Sequence, residues 1–126
     1  SRVMISTVGP YMLYGELLVK ACAENGNDYC DLTGEAYWIK LMIDKYAKVA
    51  KKSGARIVNC CGFDSIPSDL GVQFLQQAGK ERYGSFFRQV KLRVKAMKGG
   101  ASGGTIASMV EMIVAAKADP AVRSAM

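Results

Sequence analysis

Short apolar runs alternate with helix-period runs through the first half of this chain, and that alternation constrains the fold more than any other feature. Val3 to Val8 is apolar and β-branched and stops at Gly9-Pro10, the pattern of a strand buried on both faces and cut off by a turn. Helical spacing follows at once in Tyr14, Leu17, Leu18, Ala21 and Cys22, with Gly26 standing where a C-terminal glycine belongs. Asp28 to Leu32 is a second short strand, closed by Thr33-Gly34. Ile39, Met42, Ile43, Tyr46, Val49 and Ala50 make the stripe of the longest helix, Ser53-Gly54 ends it, and Arg56 to Cys61 is a third strand. Such a pattern predicts βαβ units around a parallel sheet. Right-handed crossovers run all three strands the same way, so their C-terminal ends open onto one rim. Three loops share that rim: Gly9 to Leu13, Thr33 to Ala36, and Gly62 to Asp69.

A third round begins at Pro67-Ser68-Asp69, with Ser68 or Asp69 able to cap a helix running to about Ala78. After Tyr83-Gly84 the pattern changes. Gln89 to Ala96 alternates polar and apolar residues without a fault, which predicts a strand with one wet face in an antiparallel sheet. The expected fold class is therefore α/β up to the boundary near Tyr83-Gly84, followed by the start of a mixed or antiparallel α+β domain. Gly99 to Thr105 is glycine-rich, but it follows the amphipathic segment and lacks the lysine of a P-loop. It reads as a turn with a helix cap. The helix it opens carries Ile106, Met109, Val110, Ile113 and Val114, and Asp119-Pro120 starts one more.

The 126 residues suffice for one core without disulfides or metal. None is histidine, so Ser-His-Asp hydrolysis, Cys-His proteolysis and most zinc chemistry lose their key residue, and no metal site is expected. Cys22, Cys30, Cys60 and Cys61 follow no metal-binding spacing and read as reduced, interior thiols of a cytoplasmic protein. The net charge of +6 is concentrated between residues 80 and 98, where seven basic side chains face only Glu81. Lys91, Arg93 and Lys95 on the predicted strand suit a solvated face, an anionic membrane or lipid surface, or the phosphates of a substrate. No aromatic residues interleave with them, so no nucleic-acid partner is expected. No stretch has the apolar length of a membrane span, and the first residue is not Met, so the sequence is expected to be the interior of a longer protein.

Ligands of open parallel sheets bind outside the carboxyl ends of the strands, where loops splay and helix N-termini aim free N–H groups into the gap. Gly9, Gly34 and Gly62 permit close approach on the shared rim, and Asp64, Ser65, Ser68 and Asp69 add polar groups there. Asp64, just past a strand end and beside a hydroxyl, is placed to orient a substrate or relay a proton; a plain turn or N-cap aspartate is the other reading. A dinucleotide site also needs a glycine-rich first βα turn and a charged residue about 20 positions further on. Neither is present in the right place.

Five segments in order carry a family resemblance: Val8-Gly9-Pro10-Tyr11, Tyr14-Gly15-Glu16, Asp28 to Glu35, Cys61 to Gly71, and Ala101 to Thr105. Together they resemble the saccharopine dehydrogenase-like oxidoreductases, a group that takes in the trans-acting enoyl reductases of mycobacterial lipid synthesis. The resemblance implies an enzyme of two parts: an NADP-binding Rossmann domain, then a substrate and dimerisation domain. Residues 1–79 would be the C-terminal half of the Rossmann-type sheet, and residues 80–126 the opening of the second domain. Thr7, Val8, Gly9 and Pro10 would border the nicotinamide of NADP(H) or NAD(H), and Cys61, Gly62 and Phe63 would face nicotinamide or substrate. Asp64 would be the catalytic candidate, with Ser65 and Asp69 toward a small-molecule substrate. The glycine-rich phosphate loop is missing from the sequence, so a fragment without activity of its own is expected, from a parent reductase that is a homo-oligomer. The rival expectation is a non-catalytic module that self-associates through an exposed sheet edge or the basic strand.

Overall fold

The computed structural model describes residues 1–124, which fold as α/β. The elements in chain order are β1 (Val3–Ser6), α1 (Tyr11–Tyr14), α2 (Glu16–Asn25), β2 (Asp28–Asp31), α3 (Ala36–Ser53), β3 (Ile57–Val58), α4 (Ile66–Tyr83), α5 (Gly103–Ala118) and α6 (Pro120–Ser124). They divide into two compact units. One takes Ser1–Cys61 with the segment from Ala101 onward, and the other is Gly62–Gly100.

In the first unit the three strands are parallel in the order β1-β2-β3. Register sets Met4 beside Tyr29 and Tyr29 beside Ile57, while Ile5, Cys30 and Val58 form the neighbouring row. Because side chains alternate across a strand, the two rows face opposite sides of the sheet. Two right-handed crossovers advancing in one direction put α2 and α3 on the same side. Hence the row of Met4, Tyr29 and Ile57 packs with Val19, Cys22, Trp38 and Met42. Val3, Ile5 and Val58 on the other row are 49%, 72% and 51% exposed, so the expectation of strands covered on both faces is corrected. The strands are also shorter than their apolar runs: β1 stops before Thr7-Val8, and β3 is confined to Ile57–Val58.

The helix expected after the first strand is divided at Gly15, which keeps helical dihedrals (φ −78°, ψ −31°) and is closely packed. A Cβ there would lie 2.5 Å from the Trp38 ring and 2.8 Å from the Tyr11 carbonyl oxygen. Only glycine lets the indole, 1% exposed, seat against this backbone. That contact also sets the roll of α2, which buries Val19, Cys22 and Ala23 and leaves Leu17 exposed, although the periodicity had put Leu17 on the inner stripe. Gly26 and Gly54 end α2 and α3 in the left-handed conformation, each N–H returning to a carbonyl of the last turn. At the other end of the chain Ser102 caps α5 by accepting a hydrogen bond from the Thr105 N–H, as the glycine-rich turn suggested.

The second unit is built on α4, which begins at Ile66 with Pro67 in its first turn, so Ser68 and Asp69 lie inside the helix and do not cap it. It runs on to Tyr83, beyond the expected end near Ala78, and Gly84 terminates it. The chain then doubles back. The Gln76 side-chain amide exchanges two hydrogen bonds with the Phe87 backbone, at 2.8 and 3.0 Å, and the Phe87 ring occupies the space a side chain at Gly79 would need. Residues 89–96 are irregular, with Leu92 and Val94 exposed, so the predicted antiparallel strand does not form. Alternation specifies which face of a strand is apolar, but a strand exists only with a neighbour to take its N–H and C=O groups. None of the described residues provides one.

Candidate active site

The rim at the C-terminal ends of the strands is held by two buried carboxylates. Past β1, Thr7 and Val8 are exposed, Gly9 is half-buried, Pro10 is buried, and the peptide between these last two is cis. Pro10 stands at the N-cap of α1 and has no side-chain oxygen to offer the first free N–H groups. Glu35, from the turn between β2 and α3, takes that role: its Oε1 accepts from the Tyr11 N–H at 2.9 Å and its Oε2 from the Met12 N–H at 2.7 Å. Glu35 is placed in turn by Thr33, whose Oγ1 accepts from the Glu35 N–H. The Tyr11 hydroxyl closes the ring by donating to the Ser6 carbonyl at 3.0 Å.

Asp31 does the same for the other two strand ends. Its Oδ2 accepts from the Tyr29 hydroxyl at 2.9 Å and from Asn59 Nδ2 at 2.8 Å, and its Oδ1 accepts from the Thr33 and Cys60 N–H groups at 3.1 and 3.2 Å. The Cys61 N–H donates to the Asp31 carbonyl, which extends the contact between β2 and β3 past the formal end of the strand. Cys60 adopts a left-handed φ of 59°, rare for a side chain with a Cβ, while its N–H is held by Asp31. No ion pair among the described residues involves Asp31 or Glu35. Their charge is met by hydrogen-bond donors, which satisfies the requirement for burying a carboxylate.

This environment decides which side chains are reactive. Burial, followed by the Asp31 charge, pushes the Tyr29 hydroxyl far above the ordinary range for a phenol, and burial with the charges of Asp31 and Glu35 raises Tyr11. Both stay protonated donors. Burial raises the Cys61 thiol, and Cys30 and Asp31 raise it further, so Cys61 is a poor thiolate and no candidate nucleophile. Cys22, Cys30 and Cys61 are free thiols.

Thr7, Val8, Gly9, Pro10 and Cys61 belong to the first unit, and Gly62, Phe63, Asp64, Ser65 and Asp69 to the second. Within the second unit Phe63 is 86% exposed, and Asp64 stands exposed in the turn before α4. Ser65 occupies the N-cap position without a side-chain hydrogen bond, and Asp69 is exposed in the first turn of α4. Sequence reasoning passed over Asp31 and Glu35 as site residues. A signal was present for Asp31: it shares the parity of Tyr29 in a two-residue repeat, so it had to point to the core side, where a carboxylate needs several donors.

Beside Glu35 lies a cavity of about 150 Å³ between α1, the turn leading into α3, α5 and α6. Met12, Tyr37, Met112 and Val122 supply its apolar wall. No helix among the described residues is long and apolar enough to cross a membrane.

The chain is similar along almost its whole length to proteins named trans-acting enoyl reductase. It is 50% identical over 123 residues, 98% of this chain, to one from Mycobacterium tuberculosis, and 45% identical over 121 residues, 95% of this chain, to one from Mycobacterium ulcerans. A Caenorhabditis elegans protein named lipid droplet localized protein is 53% identical over 77 residues, 61% of this chain and 18% of its own length. The chain spans 29% of the length of either mycobacterial relative. No family model and no solved structure matches it.

Proposed function

We propose that this sequence is part of an NAD(P)H-dependent enoyl reductase of the saccharopine dehydrogenase-like group, acting on lipid-derived acyl substrates. The observation that carries the reading is the 43–50% identity, over nearly all of this chain, to relatives named for that activity. In this reading residues 1–79 are the C-terminal half of a Rossmann-type domain, and residues 80–126 open a substrate and dimerisation domain. A homo-oligomeric protein working at a lipid surface completes it, in keeping with the name of the nematode relative.

The rim offers a fit for the nicotinamide end of the cofactor. Three parallel strands finish there, and Thr7 and Val8 leave β1 exposed. Gly9 itself is packed, since a Cβ on it would come within 2.9 Å of Ser108 Oγ, so the approach is left to Thr7 and Val8. The sequence has no glycine-rich phosphate loop after a buried strand, so the pyrophosphate is held by residues outside it. When bound, the cofactor supplies a hydride to an electrophilic carbon. Thr7 to Pro10 border the ring, and Glu35 and Asp31 keep the loop ends rigid through backbone hydrogen bonds. Asp64, with no hydrogen bond to another described residue, orients the substrate or relays the proton that completes the reduction. Ser65 and Asp69 are its neighbours toward substrate.

The test is a chimera in which this sequence replaces the matching segment of the Mycobacterium ulcerans relative. The expected result is enoyl-thioester-dependent oxidation of NADPH, with Asp64→Asn lowering kcat by about 100-fold or more while the NADPH Kd stays the same. Unchanged turnover in that variant removes Asp64 from the chemistry. A chimera that neither binds nor oxidises a nicotinamide cofactor overturns the reading.

A further inference from the structure

We propose that the cavity beside Glu35 is a binding site for an uncharged, linear alkyl segment of about six carbons, a deeper statement of the reductase reading, on which it rests for the identity of the ligand. Size is the first argument. The cavity measures about 150 Å³ and opens to the surface, and an apolar space of about that volume can accept a six-carbon guest. The second is chemistry. Met12, Ala36, Tyr37, Met112 and Val122 line it, and no lysine or arginine does. Its single carboxylate, Glu35, has both oxygens occupied by the Tyr11 and Met12 N–H groups. Nothing in the wall asks for a charge, so a phosphate or free carboxylate is excluded, while two thioether side chains adapt to a flexible chain.

Position is the third argument. Met12 follows directly on the Glu35-held start of α1, two residues beyond Pro10, so the cavity wall adjoins in sequence the loop proposed to border the cofactor ring. Gly34 lines the cavity, a Cβ added to it meets nothing within 4 Å, and its φ lies outside the left-handed region. A larger side chain at this lining position can be introduced without straining the backbone, which makes it the test of the site.

The experiment uses this chain with methyl-labelled methionine, read by NMR, and titrated with the N-acetylcysteamine thioesters of butenoic, hexenoic, octenoic and decenoic acids. The expected result is saturable movement of the Met12 and Met112 methyl signals while Met97, exposed in the other unit, stays still. Affinity should rise about fourfold per methylene and level off once about six carbons are seated. Gly34→Leu should weaken binding at least about tenfold, and Met112→Ala should move the plateau to longer chains. Non-saturating shifts that include Met97, affinity indifferent to chain length, or full binding by Gly34→Leu would each overturn the site. NADPH affinity, measured on the chimera by nicotinamide fluorescence, separates the two ideas. Silent methionines in a chimera that binds NADPH sink the alkyl site alone. Saturable methionine shifts with no NADPH binding support the alkyl site and remove the reductase reading.

Discussion

In the sheet unit Asp31 and Glu35 are 1% and 2% exposed and accept six hydrogen bonds between them, whereas in Gly62–Gly100 Asp64 and Asp69 stand in solvent. The same residue type is structural in one place and free in the other. What separates them is the supply of donors. Three strand ends and a helix start converge on the rim, and their unpaired N–H groups make a buried carboxylate cheaper than an apolar side chain that would strand them. The turn before α4 has no such convergence. A residue offered to a substrate must not already be spent on the fold, so the contrast favours Asp64 over Asp31 or Glu35 as the chemical group and gives the buried pair the task of fixing the loops.

Removing the two kinds of acid should separate them most sharply. Asp31→Ala leaves the Tyr29 hydroxyl, the Asn59 amide and two backbone N–H groups without their acceptor, and should cost about 4 kcal/mol in urea denaturation. Asp64→Ala should leave the denaturation midpoint where it is. A small loss from Asp31→Ala would mean that water replaces the carboxylate and the rim is far less rigid than described.

Glycines break the comparison in the opposite direction. At Gly15 a methyl group meets the Trp38 ring and the Tyr11 carbonyl, so Gly15→Ala should destabilise the chain by about 2–3 kcal/mol. Gly71 lies inside α4 with nothing within 4 Å of a would-be Cβ, and Gly71→Ala should add about 0.7 kcal/mol by restricting the unfolded chain and favouring helix. Thermal unfolding of the two variants, compared with the parent, checks both signs. Equal effects at the two sites would deny that only one of these helices is closely packed.

The strand–helix alternation and the common direction of the strands were legible because apolar runs and crossover handedness are local or general rules. A helix cap within the turn Gly99 to Thr105 and the glycine ends of α2 and α3 were legible for the same reason. Long-range contacts were not. The roll of α2 depends on Trp38 reaching Gly15, twenty-three positions away in sequence, and no window around Leu17 contains that information. Gln89 to Ala96 shows the converse: a flawless alternation that stays irregular because pairing belongs to two segments, not one. On the rim, the loop from Gly9 was placed by its position after an apolar run, and Thr7 to Pro10 were singled out only by the family resemblance. Glu35 was missed because its partners, the Tyr11 and Met12 N–H groups, are invisible as letters. Backbone donors carry no sequence signature, and a site built on them is read only from the fold.

Alkaline pH gives the finest test of how closed the sheet unit is. Tyr29 is 1% exposed, donates to Asp31, and is held protonated well above the ordinary phenol range by burial and by that negative charge. In the unfolded chain the same phenol loses its proton near pH 10. The folded state therefore binds more protons than the unfolded state once pH passes about 10, so stability is complete below that value and falls as pH rises above it. Ionisation of Tyr29 in the unfolded chain alone should remove about 0.8 kcal/mol by pH 10.5, and Tyr11, also raised, adds to the slope. Urea midpoints taken between pH 8 and 10.5 measure it. Tyr29→Phe should lower stability at neutral pH, through the lost hydrogen bond to Asp31, and flatten the alkaline limb. A wild-type limb already flat to pH 10.5 would mean that the phenol ionises in the folded protein, with water reaching Asp31 and the rim open to solvent.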